Sequence, residues 1–156
     1  MGALVIRQWE HGDFPEILRL GKLMYEESSY NRLFWCEQMA RDFIQRCYTV
    51  SMDTGEVYCN VAIIDEKVIG ILGVSNSSVY FSNDLIVKDI LFYIEKEHRG
   101  ARIAVELINL AEIWAEKIGA KEIQLGISGE IDMERTACFY RRLGYSDCAI
   151  QLRKGL

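Results

Sequence analysis

The sequence predicts a mixed α/β domain containing one parallel strand pair, and three observations carry that prediction. An apolar run over residues 85–94 passes through a charged turn into an amphipathic helix after Arg99, and residues 123–127 then alternate apolar with polar. Strand, helix and strand in that order form a βαβ unit, whose two strands must be parallel. Residues 57–64 and 68–74 are β-rich runs on either side of Asp65-Glu66-Lys67, which makes an antiparallel hairpin. Amphipathic helical stripes precede the hairpin and follow the parallel unit. The element order is β-α-α-β-β-β-α-β-α-β.

Residues 4–9 are rich in β-branched and aromatic side chains and read as a first strand. Asp13 precedes Phe14-Pro15-Glu16, an N-cap followed by the chain's single proline in the first helical turn, where no N–H is needed. Ile17, Leu18, Leu20, Leu23, Met24 and Tyr25 form one helical stripe ending near Ser28-Ser29. Met39, Ala40, Phe43, Ile44 and Cys47 place a second helix from Cys36 to about Cys47. Asp53-Thr54-Gly55 breaks the chain before the hairpin, whose second strand carries Gly70 and Gly73, a sign of a bend or a close backbone approach.

A polar stretch over residues 75–83 leads into the long strand 85–94. After Arg99, the apolar residues Ile103, Leu107, Leu110, Ala111, Trp114, Ala115 and Ile118 recur as on a helix laid against a sheet, and Gly119 closes it. Asp132 is placed to cap a last helix from Met133 to Leu143, ended by Gly144. Cys148, Ile150 and Leu152 then alternate as a final strand.

At 156 residues the chain is expected to be one domain, 1–156, burying roughly two-thirds of the surface its unfolded form exposes. A net charge of −5 argues against a nucleic-acid partner, which a basic surface would serve. No apolar run reaches the roughly 18–20 residues of a membrane span, and no basic-then-apolar leader opens the chain, so a cytoplasmic protein without membrane contact is expected. The five cysteines (Cys36, Cys47, Cys59, Cys138, Cys148) are scattered without a C-x-x-C, and His11 and His98 complete the soft ligands. That pattern predicts reduced, packed thiols and no metal site.

The chemistry concentrates where the long strand meets the helix after Arg99. A helix N-terminus carries unsatisfied N–H groups and the positive end of the helix dipole, and Gly100-Ala101 keeps its mouth free of bulky side chains. With the order of elements around it, this turn resembles the cofactor loop of the GNAT superfamily of acyl-CoA-dependent N-acyltransferases, Arg/Gln-x-x-Gly-x-Gly/Ala. Arg99 and Ala104 match its ends, and Arg102 stands at the middle glycine. Phe139-Tyr140-Arg141-Arg142-Leu143-Gly144-Tyr145 is similar to the family's aromatic-Tyr-x-x-Leu-Gly-Phe/Tyr, with Met133 where the family usually has Asn.

The resemblance implies a GNAT-like fold: a central, mixed, mostly antiparallel sheet with one parallel βαβ pair and helices on both faces. It implies acetyl-CoA as co-substrate and a primary amine of a small molecule or protein as acceptor. Arg99, Gly100, Ala101, Arg102, Ile103 and Ala104 would hold the pyrophosphate, with Arg102 either reaching a phosphate or lying on the surface. The backbone of Phe92, Tyr93 and Ile94 would pair with the pantetheine arm, and the Ile94 N–H would meet the thioester carbonyl. Tyr140 would hydrogen-bond the leaving sulfur.

Asp89 is the first choice of base and Glu95 the second; simple alternation puts Asp89 on the face of Leu91 and Tyr93, so it reaches the site only if that face, or a bulge, turns inward. By the same resemblance the acceptor lies near Glu26, Glu27, Tyr30, Phe34, Trp35 and residues 129–132, an acidic and aromatic lining suited to a cationic amine. A catalytically silent acyl-CoA-binding or interaction module is the alternative, and the oligomeric state is left open, with a homodimer as one candidate.

Overall fold

The computed structural model describes residues 2–156. A five-stranded sheet runs in chain order: β1 (Val5–Gln8), β2 (Val57–Ile64), β3 (Lys67–Ser77), β4 (Ile86–Ile94) and β5 (Glu122–Gln124). Every neighbouring pair is antiparallel except β4 with β5. That is the mixed sheet with one parallel pair that the sequence predicts. Helices α1 (Phe14–Glu27) and α2 (Glu37–Asp53) cover one face, and α3 (Ala101–Lys117) with α4 (Met133–Arg142) covers the other.

Each face has its own core. Ile17, Leu20, Val61, Ile71 and Tyr93 meet on the α1–α2 side, while Leu72, Val74, Val87, Leu107 and Ile108 meet on the α3–α4 side. Alternation along β3 supplies both, sending Ile71 one way and Leu72 the other. Each fully buried Leu or Ile stabilises the fold by about 2 kcal/mol. The hairpin between β2 and β3 turns through Asp65 and Glu66, both at positive φ (49° and 65°), as a tight two-residue connection requires. Gly70 is needed for a close approach, since a Cβ there would lie 3.2 Å from Ile94 Cγ1.

Several elements differ from the sequence reading. Helix α2 runs six residues past Cys47, because Tyr48 packs edge-on against Trp9 and Phe14, and Trp9 Nε1 donates to Ser51 Oγ at 3.4 Å. Asp13 precedes α1 but does not cap it: its carboxylate takes two Arg7 N–H groups at 2.8 and 2.9 Å and the Glu10 N–H at 2.7 Å. Asp132 precedes α4 with no side-chain cap and a left-handed backbone, φ 43°.

The final strand expected at Cys148, Ile150 and Leu152 does not form. Strand β5 stops at Gln124, and the Gly126 N–H goes to the Asp89 side chain, so no sheet edge continues for that segment to join. Ile150 and Leu152 are 89% and 90% exposed, and Arg153 reaches back to Ser29 Oγ and Glu130 Oε2, each at 3.3 Å.

Candidate functional site

Strand β4 builds the site. It pairs with β3 from Ile86 to Ile94, but with β5 only from Ile86 to Lys88. Beyond Lys88 the two parallel strands part, and Asp89 Oδ1 accepts the Gly126 N–H at 2.9 Å where a ladder bond would otherwise follow. The upper half of β4 therefore has one edge without a strand. Glu95 N–H bonds to Ile69 O on the β3 side, so alternation turns the N–H and C=O of Ile94 and Phe92 toward the open edge. This is the backbone geometry that pairing with an extended ligand requires.

The register against β3 slips between Gly73 and Val74, so that Gly73 faces Leu91 and Val74 faces Asp89, with Ile90 as the extra residue. This bulge corrects the alternation expected for Asp89. Asp89 pairs with Val74 and shares its face with the α3–α4 core, while Ile90, Leu91 and Tyr93 turn to the α1–α2 core. Asp89 is consequently on the side of Tyr140. Burial raises its carboxyl above the ordinary range, and the Gly126 N–H offsets only part of that rise.

Tyr140 is buried in the same core, its ring 6.5 Å from and nearly parallel to that of Phe92, and near the rings of Phe139 and Tyr145. Burial and the nearby Asp89 charge both raise its phenol, so it keeps its proton at neutral pH. Tyr145, five residues on, is tied down instead, its hydroxyl donating to Glu112 at 2.7 Å.

The helix mouth beyond β4 is open. Gly100 sits before α3 in extended backbone (φ −167°) with no side-chain cap, and nothing lies within 4 Å of where its Cβ would be. Neither backbone strain nor internal packing asks for glycine there, so the space is free for a ligand to approach the first N–H groups of α3. Ala101 is exposed, Ala104 packs at the core's edge, and Ile103 anchors the first turn at 9% exposure. Arg102 points outward and pairs with Glu106, one turn on, at 3.0 Å. An anionic, extended co-substrate fits these features: backbone donors at the mouth, a free strand edge beside it, and room at Gly100.

Arg99, expected in the phosphate loop, turns the other way. Both terminal guanidinium nitrogens bond Glu27 at the end of α1, at 2.6 and 2.5 Å, while Nε donates to Ile94 O at 2.9 Å. The guanidinium also lies 5.3 Å from the centre of the Tyr93 ring, whose hydroxyl donates to Glu27 at 2.8 Å. Burial and that bond push the Tyr93 phenol up to about 12. The Arg99 bonds outweigh burial and hold the Glu27 carboxyl below its usual range. Sequence reasoning placed Glu27 only in the acceptor region. The 72-residue separation from Arg99 left no local signal for this contact.

Glu95, the second candidate base, is committed elsewhere. It is buried between Arg19, Lys67 and His98, and although burial pulls its carboxyl up, bonds from Arg19 and Lys67 leave it below the usual range. It fastens α1 to β3 and β4 and is a poor proton acceptor.

Solved structures share this architecture over essentially the whole chain. A transcriptional regulator from Bacillus halodurans C-125 superposes with a TM-score of 0.75 at 17% identity, covering 99% of this chain and 100% of its own. A glucosamine-6-phosphate N-acetyltransferase from Arabidopsis thaliana gives 0.73 at 16%, covering 98% of each. An aminoglycoside 6'-N-acetyltransferase from Acinetobacter baumannii gives 0.72 at 16%, covering 99% of each. At such identities the likeness is one of fold. Among curated proteins no sequence matches. The family model for the acetyltransferase (GNAT) domain matches residues 54–147, a span that runs from the hairpin through β4, the helix mouth and Tyr140. The chain belongs to the GNAT acetyltransferase family.

Proposed function

We propose that this acetyltransferase moves the acetyl group of acetyl-CoA directly to a primary amine of a small molecule or a protein. The observation that carries the reading is the open upper edge of β4, which runs into the uncapped mouth of α3 and has Tyr140 on the flanking core face. Acetyl-CoA supplies an acyl group activated as a thioester. The α3 N–H groups at Ala101, Arg102 and Ile103 hold the pyrophosphate, with room at Gly100. Phe92 and Ile94 offer their outward backbone groups to the pantetheine arm, and the Ile94 N–H polarises the acyl carbonyl.

Tyr140 Oη donates a hydrogen bond to the departing sulfur. Its raised pKa makes complete proton transfer unfavourable and stabilisation by a retained proton the better description. Asp89 is assigned as the base. Its raised pKa keeps it an acceptor of useful strength, and it lies half-buried where β4 and β5 part. The acidic and aromatic segment around Glu26, Tyr30, Phe34 and Trp35 is assigned to the acceptor, favouring a cationic amine. The setting assigned is cytoplasmic, on the scattered spacing of the five cysteines in the sequence.

Titration calorimetry with acetyl-CoA, paired with a thiol-release assay over a panel of small amines and lysine-containing peptides, tests the reading. Saturable binding with turnover on at least one amine is expected. Binding without turnover across the panel would mark a silent acyl-CoA-binding module, and no binding would overturn both.

A further inference from the structure

Arg99 is joined to Ala101, the first residue of α3, through Gly100 alone, so wherever the Arg99 backbone is held the helix mouth must stand within two peptide units of it, about 7 Å. Glu27 holds it. The two-pronged contact fixes the guanidinium in angle as well as distance, which a single-point contact does not. Arg99 Nε closes on Ile94 O, on the open edge of β4, so one side chain joins the end of that edge to the mouth. The flanking side chains of Glu27 and Arg99 are each only 26% exposed, and Tyr93 adds a third bond to the carboxylate. The contact is thus better ordered than an isolated surface pair, whose worth is commonly small.

On its other side, Glu27 is followed by Ser28, which is 2% exposed and lies so close to Gly129 that a Cβ there would come within 2.8 Å of it. Ser29 N–H bonds to Gly129 O at 2.7 Å. The end of α1, the start of the connection over residues 28–35 and the turn before α4 are therefore held in contact. Asp132, in that same turn, lies near enough for its charge to favour the Arg99 cation.

We infer that Glu27 is a positioning residue for acetyl-CoA: it latches Arg99 so that the helix mouth and the end of β4 keep one geometry, and thereby couples the co-substrate site to the acceptor-side connection. The inference rests on the acetyl-CoA reading above. Coupling of this kind is reciprocal, so acetyl-CoA should order residues 28–35.

The test compares the wild-type chain with Glu27→Gln by acetyl-CoA calorimetry and by hydrogen–deuterium exchange over residues 28–35. Wild type is expected to bind and to slow exchange there when acetyl-CoA is added. Glu27→Gln should bind roughly tenfold more weakly, with that slowing lost. Tyr93→Phe keeps the buried ring and removes one donor, and should shift both readouts less, in the same direction. The double variant Glu27→Gln/Arg99→Gln should bind no more weakly than Arg99→Gln alone, since the two act as one unit. Binding by Glu27→Gln within about twofold of wild type, or ligand-induced protection of residues 28–35 that survives in the variant, overturns the inference and leaves acetyl-CoA binding intact. A wild-type chain that binds no acetyl-CoA overturns the functional reading instead.

Discussion

The two edges of β4 are built to different ends. Toward β3, the ladder runs the whole strand, from Ser77 opposite Ile86 to Gly70 opposite Ile94, with a single slip at Ile90. Toward β5 it lasts three residues and stops. The closed edge is a matter of packing, with large apolar side chains from both faces pinning the strand. The open edge is a matter of exposed backbone and of the two carboxylates beside it. Asp89 guards the lower end, where the strands part, and among the described residues has no cation bonded to it. Glu27 guards the upper end through Arg99 and Tyr93. Stability resides on one edge of the strand and chemistry on the other.

Breaking the closed edge should give the largest effect. Leu72→Ala removes a side chain that is 1% exposed and pairs across from Phe92, and should cost about 3 kcal/mol in denaturant unfolding. Acetyl-CoA affinity of the molecules that remain folded should stay near wild type by calorimetry. On the open edge the expectation reverses. Tyr140→Phe should fold normally and bind acetyl-CoA, but lose about a hundredfold in kcat. A variant that retained full turnover would remove Tyr140 from the mechanism.

Gly100→Val sharpens the contrast further. Its backbone is extended and its surroundings are open, so melting should be unchanged, while acetyl-CoA binding weakens roughly tenfold from a side chain in the mouth. Equal affinity would move the phosphate site off this turn.

The smallest effects are expected in pH dependence, and they have opposite signs at the two carboxylates. The folded-state pKa of Asp89 is raised, so the folded chain holds the proton more tightly than the unfolded one and stability falls as pH rises through that window. Asp89→Asn should therefore melt higher than wild type at pH 7, with the gap closing as pH drops below the ordinary carboxylate range. The folded-state pKa of Glu27 is lowered, so its contribution is present at neutral pH and is lost as pH falls through the folded value. The difference between wild type and Glu27→Gln should shrink on acidification from the other direction. Thermal melts from pH 3 to pH 8 check both.

Most of the architecture was legible because periodicity reports burial directly. The hairpin, the helix after Arg99 and the parallel unit each repeat at one period over many residues, and the sheet follows from their order. What escaped was whatever departs from a uniform repeat or depends on a distant neighbour. Counting alternate residues along β4 gives the face of Asp89 only where no bulge intervenes, and one extra residue at Ile90 reverses everything below it. The final strand has an apolar alternation of its own, but a strand also needs a partner edge, and β5 ends too soon to offer one. Arg99 carried the right motif position, yet its side chain answers to Glu27, which no local pattern connects to it. The bare helix mouth at Gly100 was legible, since small residues after a strand leave little else to do.

The unpaired segment at Cys148, Ile150 and Leu152 also bears on how the protein behaves at high concentration. It presents exposed apolar side chains outside any strand of the described residues, in a molecule whose β5 is a sheet edge. Two such surfaces on different molecules are complementary in the way that seeds strand-to-strand association. Against this stands the net charge of −5, a mutual repulsion that fades as carboxylates protonate and that salt screens. Dilute neutral buffer of low ionic strength should keep molecules apart, whereas mild acid or concentrated salt should bring light scattering up well before the fold is lost.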